Sequence, residues 1–371
     1  VSARHQAILD YVPVVDRRVV LERSSETAAG ATRWRAVAHT VAELRRAQYD
    51  IAFDLQGLLK SSLLARSSGA RRVVGFAARH LRERWAHLFY TETVEPPTGV
   101  HVVDKNLALL AAVELRDLPK RFPLEAPESE CVAEVRAGIR AEPFDSAQGR
   151  QARPLRSATS NAAFAVINPG GGWPNKRWPP EWLGAVADRL RANRALPSVV
   201  LWGPGEESLA RTVVESSRGA ARLAPATDVG EMIAMVRAAS LLVSGDTGPL
   251  HIAAAVGTPI VGIYGPTSPA RNGPWDPADV CVSRFDTCRC HHRRRCRFPM
   301  ATRPSTPTRV PRWGPRAGDS AVWCMLDIGV DEVMSAIDRR LAASGIRCPV
   351  SDVGRPAAGV DSGVRTPDRG L

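Results

Sequence analysis

Four glycine-containing turns of this sequence also carry polar or charged side chains. They are Asn168-Pro-Gly-Gly-Gly-Trp-Pro-Asn-Lys176-Arg177-Trp178, Gly203-Pro-Gly-Glu206-Glu207, Gly245-Asp246-Thr247-Gly248-Pro249-Leu250-His251 and Gly265-Pro-Thr267-Ser268-Pro. Glycine lets a backbone come close to a ligand. A helix opened by Gly248 and Pro249 would point free N–H groups and its positive dipole end at an anion, and a diphosphate suits that place. Thr247 offers a hydroxyl, Asp246 a carboxylate, and His251 sits in the first turn beside them. The plainer alternative is that Asp246 or Thr247 only caps the helix and His251 is incidental.

Lys176 is one of four lysines, and Trp173 and Trp178 flank it. A cation there can offset charge developing on a leaving group; otherwise it is a solvated lysine. Glu206 can accept from two adjacent hydroxyls, as a ribose presents them, although acids at a helix start are favoured by the dipole in any case. Asp54-Leu-Gln56-Gly57-Leu-Leu-Lys60-Ser61 is a further turn that either faces the same cleft or caps a helix. Cys288, Cys290, Cys296 and Cys324, with His291 and His292 among them, invite a zinc reading. The Cys-x-Cys spacing is tighter than in usual structural sites. Zinc on these four cysteines is therefore kept as the weaker alternative. No nucleic-acid finger spacing fits them.

These turns need strands behind them and helices after them. Apolar spacing predicts helices over 6–12, 31–48, 58–67 and 101–115, and strands over 18–21, 51–54 and 73–76. After a polar stretch between 140 and 161 the alternation resumes. Strands are expected over 164–168, 198–202, 241–244 and 260–264, and helices over 180–193, 206–217, 229–239, 249–256 and 330–343. Such alternation means an α/β protein with parallel sheets. Ligands bind such sheets beyond the carboxyl ends of the strands, and there the four turns fall. The domains expected are 1–140, a linker at 141–161, and 162–344 with an Arg/Pro-rich insert at 298–319. Residues 345–371 form a disordered tail.

The chain has 371 residues, 44% apolar and 24% charged, which suits two globular domains. The most apolar stretch, 252–264, is interrupted by Gly257 and Pro259, so no membrane-spanning helix is expected. No secretory signal is expected either. Seven cysteines, four of them late and close together, are not a disulfide framework, and a reducing cytosolic compartment is expected. The net charge of +12 comes mostly from arginine. It suits acidic substrates, an anionic membrane or nucleic acid, or else reflects a general arginine bias. Arg71, Arg72, Arg79, Arg82 and Arg84, with Trp85 and Phe89 near, would suit an anionic surface or a solvated face.

Taken together, DLQGLLKSSLLARSSGA (54–70), INPGGGWPNKRWP, LWGPGEE, SGDTGPLHIAAAVGTPIVGIYGPTSP and CMLDIGVDEVMSAI resemble glycosyltransferase family 9, the ADP-heptose:lipopolysaccharide heptosyltransferases. The likeness runs from the first residue to about 343, apart from the linker and the insert. It implies a GT-B fold, two Rossmann-like domains facing a cleft, with the acceptor on the first and the nucleotide sugar on the second. It implies an inverting transfer of a heptose or related sugar from an ADP-sugar to the lipid-linked Kdo/lipid A inner core of lipopolysaccharide. Lys176 and Asp246 are the catalytic candidates. Lys176, Glu206, Asp246, Thr247, Gly248 and His251 would bind the donor, and Asp54, Gln56 and Lys60 are acceptor-side candidates. No metal or cofactor and no nucleic acid are expected. The enzyme would be cytoplasmic and peripheral on the inner face of the inner membrane.

The family opens with a strand, a glycine-rich turn carrying an acid, and a helix, and that acid resembles a general base. The present chain starts after that unit, so the base is not identified. A truncated start is expected, with nucleotide binding but no transfer. A non-catalytic nucleotide- or glycan-binding remnant and a zinc-dependent nucleic-acid-binding protein are the competing readings.

Overall fold

A strand that is apolar at every position must be covered on both faces, and in parallel sheets helices do the covering. The computed structural model describes residues 1, 5–20, 30–116, 118–141, 162–288, 290–294 and 323–344. All strand pairs among these residues are parallel. The first unit has a three-stranded sheet in chain order, β1 (Ile51–Phe53), β2 (Arg72–Phe76) and β3 (Glu92–Val94). Its helices are α1 (Gly30–Arg46), α2 (Leu59–Ser67) and α3 (Val102–Leu107). Val74, Phe76, Leu81, Ala86 and Leu109 form its core.

The second sheet has six strands in the order β6 (Ala221–Leu223), β5 (Ser198–Val200), β4 (Ala165–Asn168), β7 (Leu241–Gly245), β8 (Ile260–Tyr264) and β9 (Val280–Ser283). The chain steps outward from β4 to β6 and then returns to the other side of β4. Loops leaving β4 and β7 therefore diverge and open a crevice at their carboxyl ends. Side chains alternate across the sheet. Ala165, Ile167, Leu241 and Val243 face α5 (Pro180–Arg194), α6 (Glu207–Ser216) and α11 (Val330–Ala343), which follows two single turns, α9 (Pro269–Asn272) and α10 (Trp323–Leu326). Val166, Val199, Leu242 and Ile260 face α4 (Glu130–Ala141), α7 (Val229–Ala238) and α8 (Gly248–Val256).

Packing changes sides earlier than the domain boundary expected at residue 140. Cys131, Val132 and Val135 of α4 lie in the core of the second sheet, joined there by Ile8 and Tyr11 from the start of the chain. Arg222 donates to the Gly138 carbonyl at 3.0 Å, and the Glu125 N–H to the Tyr11 carbonyl at 2.8 Å. Beyond Ala141, the linker lies outside the described residues, as do the insert and the tail.

The two carboxyl rims meet. His101 accepts the Val103 N–H on Nδ1 and gives its Nε2–H to the Gly273 carbonyl, 3.1 Å away. Trp275 presents its ring edge-on to His101 and Phe122, with ring centres 5.2 and 5.7 Å away.

The strands absent from the sequence reading, β3, β6 and β9, are all sheet edges. An edge strand is covered less and can do without an unbroken apolar run, as in β3, Glu-Thr-Val, and β6, Ala-Arg-Leu; β9 keeps a short one in Val-Cys-Val. The strand expected over 18–21 does not form at 18–20, which are irregular, and residue 21 is not described. The helix expected over 101–115 is α3 followed by a tighter 3-10 stretch, Ala108–Val113, and Glu114 then stops it in a left-handed conformation, φ 60°. The helix expected over 6–12 is likewise 3-10, Ala7–Tyr11.

Arg340 on α11 is 5% exposed and donates from Nε to Asp279 at 2.6 Å. Asp279 also accepts the N–H of Ile260, so this pair ties α11 to the start of β8. Arg340→Ala leaves a buried carboxylate short of its cation. Stability is expected to fall by about 3–5 kcal/mol, measured by urea unfolding.

Candidate active site

At the crevice between β4 and β7, Asn168 ends β4 opposite Ser244 of β7. Its amide donates to Ser244 Oγ at 3.0 Å and to Thr247 Oγ1 at 2.9 Å. Thr247 is the N-cap residue of α8, yet its side chain makes no capping bond. Its hydroxyl is turned toward Asn168, Ser244 and the Gly245 carbonyl instead. No cap side chain therefore takes the Gly248 N–H, which opens on the crevice; Pro249 has no N–H, and those of Leu250 and His251 go to the Thr247 carbonyl at 3.2 and 3.4 Å. The glycine in this turn also has a packing cause. A Cβ on Gly245 would stand 2.9 Å from the carbonyl oxygen of Lys176, so only glycine lets the lysine loop cross the end of β7.

Asp246 is 6% exposed. Lys176 Nζ donates to its Oδ2 at 2.7 Å, and His251 Nε2 lies 3.2 Å from Oδ1. Burial alone would raise the pKa of Asp246. Hydrogen bonds from His251 and Lys176 and the Lys176 charge outweigh it, and hold the carboxyl well below the usual carboxylate range. Lys176 also lies 4.4 Å from the centre of the Trp173 ring. It is a partly buried, positioned cation, and the solvated-lysine alternative fails.

Beside this pair lies an open cleft of about 210 Å³, bounded by the two glycine turns and by Trp202, Glu206, Thr227, Met232 and Pro249. Glu206 precedes α6 and accepts the Gly171 N–H at 2.8 Å. A Cβ on Gly170 would come within 2.1 Å of its other carboxylate oxygen. Gly170 of Asn168-Pro-Gly-Gly-Gly thus admits Glu206 rather than merely loosening the loop.

The structure gathers Lys176, Asp246, Thr247, Gly248 and His251 at the mouth of α8, with Glu206 along the cleft. Asn168, Trp202, Thr227 and Met232 were missed as individual residues. Asn168 and Trp202 lie inside motifs that point to the site. Thr227 and Met232 leave no such mark, because only the fold brings the start of α7 to the cleft.

On the first unit, Asp54 is buried and its carboxylate is used locally. It accepts the N–H groups of Gln56 and Gly57 at 2.9 and 3.3 Å, the Ser61 hydroxyl at 2.9 Å and the Tyr90 hydroxyl at 2.8 Å. Gly57, at φ 65°, closes this turn. Asp54 thereby shapes the rim and is not itself presented to a ligand. Gln56 and Lys60 are exposed on that rim.

The Cys/His loop is seated against the site. The His292 N–H donates to the Pro266 carbonyl at 2.6 Å, and Asn175 Nδ2 to the Arg293 carbonyl at 2.8 Å. Beneath it Cys288, Cys290 and Cys324 are buried together in the core. A hydrogen bond from Cys324 above all, helped by Cys290 and the His291 N–H and opposed by burial, draws the Cys288 thiol down to about 6. Among the described residues no three potential ligands are arranged to hold a metal ion. Cys296 lies outside them.

Two outcomes follow from this geometry. Gly170→Ala pushes Glu206 from its seat, a flexible side-chain end that can yield, so the melting temperature should stay unchanged while the Gly171 N–H loses its acceptor; a thermal melt and amide hydrogen exchange check both. Asp246→Asn should destabilise the protein at neutral pH, since the native carboxyl has a depressed pKa and its ionised form is the stabilising one. The wild type loses this contribution as pH falls below the ordinary carboxylate range toward the depressed native value. The deficit of the variant should therefore shrink on acidification, in urea midpoints measured against pH.

The comparisons with known proteins agree with this geometry. The family described as glycosyltransferase family 9 (heptosyltransferase) matches residues 37–301. Lipopolysaccharide heptosyltransferase 1 of Pseudomonas aeruginosa is 26% identical over 288 residues, covering 78% of this chain and 73% of that one. Lipopolysaccharide heptosyltransferase 3 of Escherichia coli is 27% identical over 242 residues, covering 64% and 65%. The solved family 9 glycosyl transferase of Veillonella parvula superposes with a TM-score of 0.64 at 20% identity, over 91% of this chain and 86% of that one. The E. coli heptosyltransferase WaaC with ADP gives a TM-score of 0.56 at 21% identity, over 75% and 80%. The two Rossmann-like units over one cleft are the GT-B arrangement, and with the family match spanning most of its length this chain belongs to glycosyltransferase family 9.

Proposed function

We propose that this glycosyltransferase moves a heptose from an ADP-activated donor to the lipid-linked inner core of lipopolysaccharide. The observation that carries the reading is the Lys176–Asp246 pair at the mouth of α8, beside an open cleft lined by glycines, Trp202 and Glu206. The nucleoside lies among Trp202, Met232 and the glycines, with Glu206 on the ribose hydroxyls. The diphosphate meets the positive end of α8 at the Gly248 N–H. Relatives are named heptosyltransferases, and one solved neighbour carries ADP.

In the reaction an acceptor hydroxyl passes its proton to a base and attacks the anomeric carbon, and the bond from that carbon to the β-phosphate oxygen breaks. Negative charge grows on the departing ADP, where Lys176 offsets it without needing to reorganise. Asp246 and Trp173 hold the ammonium in place, and His251 holds Asp246 from the other side. These groups supply the charge compensation that the reading requires, so it calls for no metal or cofactor. The acceptor approaches from the first unit past Gln56 and Lys60. Such an acceptor places the enzyme at the cytoplasmic face of the inner membrane as a peripheral protein. No described helix is long and apolar enough to cross a membrane.

ADP release from ADP-heptose, dependent on a Kdo–lipid A acceptor, tests the reading directly. Lys176→Met is expected to lower turnover by roughly 10²–10³, with the acceptor KM unchanged. Acceptor-dependent turnover with UDP-sugars but not with ADP-heptose would overturn the donor assignment.

A further inference from the structure

The first unit carries a group of large apolar side chains that nothing among the described residues covers. Trp85 is 69% exposed, Leu88 64%, Leu55 53%, Leu63 51% and Leu59 40%. They belong to one neighbourhood. Leu59 and Leu63 are one helical turn apart on α2, and Trp85 and Leu88 lie on the 3-10 segment Arg84–Phe89, which packs against α2. Glu83 joins the two, since its carboxylate accepts the Leu59 N–H at 2.7 Å. Leu55 extends the group into the turn after β1, at the rim of the cleft.

Cations frame the group. Lys60 and Arg66 share the exposed side of α2 with Leu59 and Leu63, and Arg82 and Arg84 adjoin Trp85. None of these four side chains has a hydrogen-bond or ion-pair partner among the described residues. The other arginines grouped with them in sequence are engaged elsewhere. Arg72 holds Glu92 at 2.7 and 2.9 Å, Arg71 pairs with Asp50, and Arg79 with Glu95. Structure thus divides one run of arginines into paired residues and free ones, and the free ones surround the apolar group.

An exposed tryptophan and leucines ringed by unpaired cations match the boundary of an anionic bilayer, where the aromatic ring sits at headgroup level and the cations meet lipid phosphates. We propose that the exposed side of α2 together with segment 84–89 is the surface by which this protein rests on an anionic membrane. The proposal rests on the reading of a lipid-linked acceptor and adds the orientation. The group begins at Leu55 on the cleft rim, so a lipid can stay in the bilayer while its sugar reaches the donor site.

Sedimentation of the full chain with vesicles tests it, using phosphatidylcholine alone and phosphatidylcholine with phosphatidylglycerol. The wild type should bind the anionic vesicles, and added salt should weaken this. Trp85→Ser with Leu88→Ser should weaken partition at least tenfold. Arg82→Gln with Arg84→Gln should weaken it by roughly fivefold per arginine. Both variants should keep wild-type ADP affinity and the wild-type melting temperature, because none of these residues is buried or lines the cleft. Anionic-vesicle binding that both variants retain would overturn the proposal, as would no binding by the wild type. A wild-type dimer in light scattering that Trp85→Ser with Leu88→Ser dissociates would also overturn it, assigning the surface to a second copy of the chain. ADP release with a delipidated Kdo acceptor is read separately. Its loss would count against the transfer reaction and leave the surface assignment standing.

Discussion

Lys176 and Asp246 are 70 residues apart, on loops leaving neighbouring strands of one sheet, and their contact closes the site. Asp246 can be buried only because Lys176 and His251 supply the hydrogen bonds and charge that compensate its desolvation. Lys176 can be held out of bulk water only because Asp246 and the Trp173 ring receive it. Each condition needs the other, and both need the return of the chain from β6 to β7, which brings the two loops to one crevice. The same return exposes the N-terminus of α8 between them. The cation, the buried anion and the helix end are therefore consequences of one topological step.

Glycine does two different jobs around this centre. At Gly245 its missing side chain lets the lysine loop pass over the end of β7, and at Gly170 it leaves room for a carboxylate. In both places the backbone is approached by protein before any ligand arrives, so the pocket is preorganised. The loop around His292 adds a third wall that does not come from a strand end. It is pinned on the rim through Pro266 and Asn175 and anchored below by three cysteines packed in the core.

The first unit contributes shape and surface more than chemistry. Asp54, which has the look of a reacting acid in the sequence, has its oxygens occupied by two backbone N–H groups, a serine and a tyrosine. This bonding stiffens the rim from which Gln56 and Lys60 project. The contact of His101 with Gly273 then sets that rim opposite the donor site. Apolar side chains that find no cover within the unit lie on the outer side of α2.

Local chemistry determined much of this protein before any folding is considered. Alternating apolar runs dictate parallel strands and their covering helices, and the Gly-Asp-Thr-Gly turn dictates an anion-facing helix start. Edge strands such as β3 and β6 escape that logic, because half-covered strands need no apolar run. Tertiary structure alone decided which polar groups act outward and which act inward. Asp54 and Asp246 are both acids at strand ends. One is saturated by its own turn, and the other is completed by a lysine from a distant loop. Arg71, Arg79, Arg82 and Arg84 read alike in a row, but Asp50 and Glu95 come within reach of only the first two. Thr227 and Met232 enter the cleft only because α7 packs where it does. Such differences depend on which groups the fold brings within a few ångströms, and hydrogen bonds and ion pairs act only over that range.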